Sequence, residues 1–371
     1  MKPIRTAFII NDFSGAGAQK LVADILSRID KTRFRLTLIS LFEVKGGATM
    51  YHLLPADIEI VRMNFRGFFD LGSLMQLCRA LIRLRIDVVI SHLFFSNTVA
   101  RVLKPFVGYQ VITTEHNTYI NKKRLHQIID RILAMWTYAI IAVSTTVKTF
   151  TAAQEKIPLS KFKVIHNGID VAGITAAVQK ADVHAVKKEL GLENARIMIN
   201  AARLTEQKDH SLLLKGFAPV AERYPDLHLV VLGEGEKREQ LEREARALGI
   251  QGQVHFLGYC DDVYRYYAAS DFFVSTSQIE GFGLAHAEAL VAGLPLLSTK
   301  TAGPDEMIRE GLNGFFINEH TPQAVTEGLM KMLSADLPAM RDQVRLSAAR
   351  FDIAATVKSY EELIVEAITV R

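Results

Sequence analysis

Short apolar runs alternate with amphipathic stretches of about 10–15 residues along this chain, and the alternation restarts halfway. In the first half "TAFIIND", "RLTLISLF", "IEIVRM", "DVVISHL", "YQVITTEHN" and "AIIAVS" read as strands. Between them "GAQKLVADILSRI", "LGSLMQLCRALIRLR", "NTVARVLKPF" and "RLHQIIDRILAMWTYA" read as helices. After "KFKVIHNGID" and a less apolar stretch, read as a linker plus one helix, strands "RIMINAAR", "LHLVVLGEG", "QVHFLGY", "DFFVSTS", "PLLSTK" and "NGFFI" again alternate with helices, and the remainder is helical. Apolar strands separated by crossover helices make parallel sheets buried on both faces. The expected fold is therefore α/β, with two doubly wound Rossmann-like domains facing across a cleft. The boundaries are 1–168 for an N-terminal domain and 169–352 for a C-terminal one. The last helix, about 353–371, has an apolar stripe able to pack back on the first domain.

A length of 371 residues supports two domains, and 49% hydrophobic with 23% charged residues is ordinary for a soluble chain. No run of about 20 apolar residues is present, so no transmembrane helix is expected. The opening "MKPIRTAFIIND" reads as a first strand and not as a secretory signal. Two cysteines without a CxxC fit a reducing compartment without a zinc site. Residues 1–169 carry 23 Lys/Arg against 11 Asp/Glu, while residues 170–371 carry 21 against 29. A basic half favours an anionic partner, whether nucleic acid, lipid headgroup or pyrophosphate; a merely solvated basic surface is the plainer reading.

Chemistry concentrates at strand ends. In "SQIEGFGLAHAEALVAG", Gly281 and Gly283 join a strand to a helix, which leaves amides bare for an anion, or simply makes a tight turn; Phe282 between them can pack or stack. Glu288 falls on the apolar helical face of Leu284, Ala285, Val291 and Ala292. A carboxylate there needs a partner, and the sequence supplies no evident one. A ribose can fill that role, as can a nearby Arg or backbone N–H. Arg203 and Lys208 follow the strand "IMINA" and suit a diphosphate, or are ordinary loop charges. Gly15 and Gly17 mark a glycine-bearing first turn that is not GxGxxG, because its third position is Lys20. His116, in "TTEHNTY", is a hydrogen-bonding candidate or a structural histidine, and "HNGID" reads as a turn. There is no GxxxxGK[ST], GxSxG, HExxH or DxD-type pair; if a pyrophosphate leaves here, protein groups and not a metal must stabilise it.

Together "SGAGAQK", "HNGID", "ARLTEQKD", "VVLGEGEKREQLE", the run from "VHFLGY" to "AGPDEMI", and "GLNGFFI" resemble the family-4 retaining glycosyltransferases of the GT-B fold, in order and spacing, over nearly the whole chain. The resemblance implies metal-independent, retaining transfer of a hexose or N-acetylhexosamine from a nucleoside diphosphate sugar, with no cofactor. UDP is expected from family frequency. The acceptor would be a saccharide or polyprenyl-linked sugar in lipopolysaccharide, capsule or exopolysaccharide assembly. Residue by residue, Arg203, Lys208, Gly283 and Leu284 would hold the diphosphate and Glu288 the ribose. Glu280 would hold the transferred sugar, His116 would stand near it, and Gly17 would approach the phosphate. The chain departs from the family at Ala16, Ala202 and Asp209, where glycine is usual. The expected location is cytoplasmic and peripheral on the inner face of the plasma membrane. "FRGFFDLG", "INKKRLH" and "LCRALIRLR", the last placing Arg79, Arg83 and Ile86 on one face, suit transient docking on an anionic membrane, or plain solvation. Rival readings are an epimerase-type nucleotide-sugar enzyme, a non-catalytic nucleotide-sugar or glycan binder, a dehydrogenase disfavoured by the missing GxGxxG, and a nucleic-acid binder for which no module is visible.

Overall fold

The computed structural model describes residues 2–44 and 49–369. The chain divides into two compact units, Met1–Ile169 with Ile353–Arg371, and Asp170–Asp352. In the first, strands β1 (Ile4–Ile10), β2 (Phe34–Ser40), β3 (Glu59–Arg62), β4 (Val88–His92), β5 (Gln110–Glu115), β6 (Ala139–Ala142) and β7 (Phe162–Val164) form one sheet in the order β3-β2-β1-β4-β5-β6-β7. All neighbours are parallel. Strand alternation splits the core. Phe8 and Ile10 face Leu21, Val22 and Ile25 of helix Gly17–Arg28 and Tyr360 and Ile364 of helix Ile353–Thr369, whereas Ala7 and Ile9 face Leu77 and Leu81 of helix Leu71–Arg83 and Val99 and Leu103 of helix Phe94–Val107. The C-terminal helix thus belongs to the first unit, where Ile353 N donates to Ile169 O at 2.9 Å.

The second unit has strands β8 (Arg196–Ala201), β9 (Leu227–Leu232), β10 (Val254–Gly258), β11 (Phe272–Ser275), β12 (Leu296–Thr299) and β13 (Gly314–Ile317), in the order β10-β9-β8-β11-β12-β13, again parallel. Each sheet reverses its strand order beside its first strand, at β1/β4 and at β8/β11, and the loops leaving such a switch point diverge to open a crevice. Both units are therefore doubly wound Rossmann-like α/β domains.

Three local expectations change. The stretch taken as linker plus one helix is two helices, Val171–Lys180 and Val183–Leu190, started by Asp170 and Asp182, whose carboxylates accept from Gly173 N and Ala185 N at 3.0 Å. Helix Thr145–Glu155 was hidden by its β-branched content; Ser144 caps it by accepting from Val147 N at 3.2 Å. Ile86 does not share a helical face with Arg79 and Arg83, because the helix stops at Arg83, Arg85 turns left-handed at φ 51°, and Ile86 is buried beyond it. Among the described residues no helix is long and apolar enough to cross a membrane.

Candidate active site

The switch point of the second sheet sets two loops side by side. The loop after β8 is tied to the one after β9, Leu204 N donating to Glu234 O and Lys237 N to Leu204 O, both at 3.0 Å. It then turns through Glu206–Lys208 to Asp209, whose carboxylate caps helix His210–Arg223 by accepting from Leu212 N. The loop after β11 is stitched to it: Gln278 N donates to Gln207 O (2.9 Å), Gln207 Nε2 to Ile279 O (2.8 Å) and Thr276 Oγ1 to Asp209 O (2.8 Å). This stitching brings Lys208 Nζ against Glu280 Oε2 as an ion pair, with side chains 18% and 16% exposed.

Beyond Glu280 the chain turns under a tight constraint. Gly303 N donates to Glu280 O at 3.0 Å, and a Cβ at Gly303 would lie 1.7 Å from Phe282 O, so only glycine allows this approach. Phe282 does not reach out to stack; it is buried edge-on against Phe351, ring centres 5.4 Å apart. Gly283, at φ 90°, precedes helix Leu284–Ala292, and no side chain caps that start. The first amides of such a helix have no intrahelical acceptor and offer partial positive charge to an anion.

His286 lies directly beneath this turn, its Nδ1 2.7 Å from where a Gly283 Cβ would be. Its Nε2 is 3.0 Å from Ser298 Oγ, whose proton goes to Thr299 O at 3.2 Å; Nε2 therefore carries the ring proton and Nδ1 is left as an acceptor that no described donor reaches. Burial pulls its pKa down to about 4; Glu280 opposes the drop and Lys208 adds to it. It is a neutral wedge under the turn. Nothing in the sequence distinguishes this histidine from a surface one, because its contacts come from β12.

Glu288 is buried one to two turns along the same helix, and the protein does supply a partner: Tyr264 Oη donates to Oε1 at 3.4 Å. The nearby Tyr267 phenol is pushed well above its ordinary range, first by burial and then by the Glu288 charge. Leu284 is half-buried at the helix start, and Arg203 is exposed in the Lys208 loop without joining the Lys208–Glu280 pair.

The remaining candidates lie in the first unit, at the carboxyl ends of β1 and β5. Gly15 and Gly17 are exposed in the turn that opens helix Gly17–Arg28, a turn shaped by Asp12, which accepts from Ser14 N (3.0 Å), Ser14 Oγ (2.6 Å) and Gln19 Nε2 (3.2 Å). A Cβ at Gly15 would meet nothing within 4 Å, so packing does not demand glycine there. His116 Nε2 is 3.0 Å from Nδ1 of His92, a buried residue at the end of β4 whose ring lies near-parallel to those of Phe8 and Tyr360 in a three-ring cluster. Burial takes His116 to about 4 and His92 well below its ordinary value, so both rings are neutral. Two adjacent strands each ending near a histidine were the available signal for this pair.

Behind His116 lies a buried charge cluster that patterning did not reveal. Asp130 pairs with Arg101 and Lys122, Lys122 pairs with Glu155, and Glu115 accepts from Asn97 Nδ2 at 3.2 Å. Lys122 belongs to "INKKRLH", so one cation of that stretch is locked inside and only Lys123 and Arg124 face water. Burial opposes the Lys122 charge, but Glu115, Asp130 and Glu155 outweigh it and raise its pKa. Burial also raises Glu115, and takes Glu155 up to about 8 with the help of Glu115 and against Lys122. Among the described residues no group of three or more His, Cys, Asp or Glu is placed to hold a metal ion.

The family model Glycosyltransferase Family 4 matches residues 15–172, and Glycosyl transferases group 1 matches 182–350. An uncharacterized glycosyltransferase of Haemophilus influenzae is 25% identical over 96% of this chain and 98% of its own. The UDP-Gal:alpha-D-GlcNAc-diphosphoundecaprenol alpha-1,3-galactosyltransferase of Escherichia coli is 25% identical over 71% and 70%. The crystal structure of Anabaena Alr3699/HepE in complex with UDP-glucose superposes with a TM-score of 0.84 at 19% identity, covering 99% of this chain and 100% of that one. Two doubly wound units, a stitched pair of switch-point loops and two family matches that span the two units lead to one conclusion: this chain belongs to the family-4 glycosyltransferases and has the GT-B fold.

Proposed function

We propose that this glycosyltransferase moves a hexose or N-acetylhexosamine from a UDP-sugar to a saccharide or lipid-linked saccharide in cell-surface polysaccharide assembly, with retention at the anomeric carbon and without a metal. The observation that carries this reading is the Lys208–Glu280 pair set beside the uncapped start of helix Leu284–Ala292. A cation and a bare helix start are what a diphosphate needs, and a carboxylate in the same place is what sugar hydroxyls need. Arg203 and Lys208 then grip the diphosphate together with the amides of Gly283 and Leu284, Glu288 and Tyr264 face the ribose, and Glu280 orients the sugar. The bond from the anomeric carbon to the phosphate oxygen breaks, the acceptor oxygen bonds that carbon on the same face, and the acceptor's proton passes to the departing phosphate oxygen. Stabilising the pyrophosphate charge falls to side-chain cations and backbone amides.

The acceptor is assigned to the first unit, where His116 offers a neutral hydrogen-bonding ring and Gly17 an exposed backbone. Helix Arg124–Leu133 turns Leu125, Ile128 and Ile132 to solvent, followed by exposed Met135 and Trp136, with Lys123, Arg124 and Arg131 alongside. An outward apolar stripe flanked by cations suits transient contact with an anionic membrane presenting a lipid-linked sugar. The E. coli relative, whose name includes a UDP-sugar and a diphosphoundecaprenol acceptor, and the UDP-glucose complex of the Anabaena protein support the donor and acceptor classes.

The test is a thermal-shift series with UDP-, GDP- and ADP-sugars, followed by NMR of the anomeric configuration of the product made on a polyprenyl-diphosphate-linked sugar, with and without EDTA. Stabilisation by a UDP-sugar, an α-product from an α-donor and indifference to EDTA are expected. Interconversion of the donor sugar without acceptor would make the protein an epimerase, and binding without turnover a non-catalytic module.

A further inference from the structure

Four arginines meet where the first sheet has no part in the site above. Arg5, Arg35, Arg83 and Arg85 line a cavity of about 230 Å³ together with Glu59 and Thr37. The cavity lies at the amino ends of the strands, whereas the candidate residues Gly15, Gly17 and His116 lie at the carboxyl ends. Three neighbouring strands and one helix end build it. Arg5 on β1 is register-paired with Arg35 on β2, and Thr37 on β2 with Glu59 on β3, all on the face that covers Ala7 and Ile9; the turn after helix Leu71–Arg83 adds Arg83 and Arg85.

The charges are unevenly matched. Arg5 is held by Asp87, its Nε and Nη2 donating at 2.9 and 2.8 Å. Arg35, Arg83 and Arg85 are exposed, and among the described residues none of them makes an ion pair or a side-chain hydrogen bond. Asp87 already answers Arg5, and Glu59 in the lining offsets one of the other three arginines, so the pocket stays net positive with no further protein anion in its lining. Arg85 ends the helix in the left-handed region at φ 51°, with Arg85 N donating to Ile82 O and Ile86 N to Leu81 O, a position where glycine is the usual residue. The helix carbonyl end disfavours an anion nearby, but by less than several guanidinium groups favour one.

We infer that this pocket is a phosphate-binding site, separate from the donor site and independent of the reading given to it, for a phosphoryl group on a soluble molecule or on a lipid headgroup. Arginine forks suit phosphate oxygens, and the cavity is large enough for one or two such groups.

The experiment compares the full chain with the exposed double variant Arg35→Ala/Arg83→Ala. Melting temperature is followed in sodium phosphate and in sodium chloride at equal ionic strength, and sedimentation is measured with phosphatidylglycerol and phosphatidylcholine vesicles. Phosphate raises the wild-type melting temperature by about 2–4 °C more than chloride does, and the double variant loses that increment while keeping its response to UDP. If the wild type alone also sediments with phosphatidylglycerol, the phosphoryl group belongs to a headgroup; if phosphate stabilises but vesicles do not discriminate, it belongs to a soluble molecule. Arg85→Gly raises the ligand-free melting temperature by relieving the left-handed strain and yet reduces the phosphate increment. Equal increments in phosphate and chloride, or an increment unchanged in the double variant, overturn the site, leaving Arg83 and Arg85 as complements to the helix carbonyl end.

Discussion

Both units place ion pairs near the ends of their strands, and burial decides what those pairs do. The Lys122–Asp130–Arg101 cluster of the first unit is sealed: side chains of Arg101, Asp130, Lys122 and Glu155 are 5% exposed or less. The Lys208–Glu280 pair of the second unit keeps more than three times that exposure, beside a helix start that nothing caps. A sealed cluster cannot exchange partners without leaving charge in a medium of low polarity, so it fixes the chain. A partly open pair can trade its partner for a ligand at lower cost, because water still reaches it. Lys122 holds the segment after His116 in place; Lys208 is poised to let go.

The sharpest way to break this contrast is to remove the carboxylate shared by both cations of the sealed cluster. Asp130→Ala leaves buried Arg101 without its ion-pair partner and Lys122 paired with Glu155 alone, and a loss of about 3–5 kcal/mol in unfolding free energy is expected, measured by denaturant titration. A loss below about 1 kcal/mol would place the cluster with ordinary surface pairs. Next in size is the open pair. Lys208→Ala is expected to leave stability within about 1 kcal/mol of wild type but to lower turnover by about 10²–10³-fold in a donor-saturated assay. Arg203→Ala follows the same pattern; wild-type rates in both variants would remove the phosphate role.

These two pairs also show where the sequence is readable. Apolar runs such as "LHLVVLGEG" and "DVVISHL" are short, contain β-branched residues and end at Gly or polar residues, the mark of buried strands, and so the sheets were legible. Glu280, Gly283 and Glu288 were legible as a group because they share one strand-to-helix passage and their spacing is local. The meeting of Lys208 with Glu280, 72 residues on, was not, since it requires β8 and β11 to be neighbours, a fact of strand order. The His92–His116 pair depends in the same way on β4 beside β5. The sealed cluster was the least visible. Arg101, Lys122, Asp130 and Glu155 sit in amphipathic segments, where a charge reads as the solvent face; here apolar residues of helix Arg124–Leu133 face outward and Asp130 faces inward. Glu288 illustrates the opposite error: its burial was foreseen, but a tyrosine 24 residues earlier that could partner it carries no local signal.

The sealed cluster has three carboxylates, counting Glu115, for two cations, so one proton should remain with it near neutrality; burial raises both Glu115 and Glu155, the latter up to about 8. The unfolded carboxyl titrates near 4.5, so between about pH 4.5 and 8 the folded protein holds more protons than the unfolded one. This contribution to stability is present below 4.5 and is lost as pH rises to 8, with a slope of at most about 1.4 kcal/mol per pH unit. Glu155→Gln keeps the shape and cannot ionise, so its stability–pH curve is flatter across that window. The neutral His116 and His286 give the opposite sign: their folded pKa values of about 4 lie below the unfolded 6.5, so their contribution is present above 6.5 and is lost as pH falls to 4. A Glu155→Gln curve parallel to that of wild type between pH 6.5 and 8, the histidines being common to both proteins, would mean that Glu155 is ionised throughout.

The smallest effect is the most diagnostic of exchange. If Lys208 must leave Glu280 to reach a diphosphate, the Lys208–Glu280 attraction is subtracted from every nucleotide's affinity. Glu280→Gln removes that attraction while keeping a side chain of the same size over Gly283. UDP alone should then bind more tightly, by about 5-fold. The UDP-sugar should gain less, because the same substitution weakens the grip on the sugar hydroxyls. Calorimetric titration of both ligands therefore yields two numbers whose ratio matters more than either. A UDP affinity that rises while the sugar's added contribution falls places the carboxylate in competition for Lys208 before binding and on the sugar after it. Unchanged UDP affinity would make the pair as fixed as the sealed cluster, and the difference between the two units would then be one of depth alone.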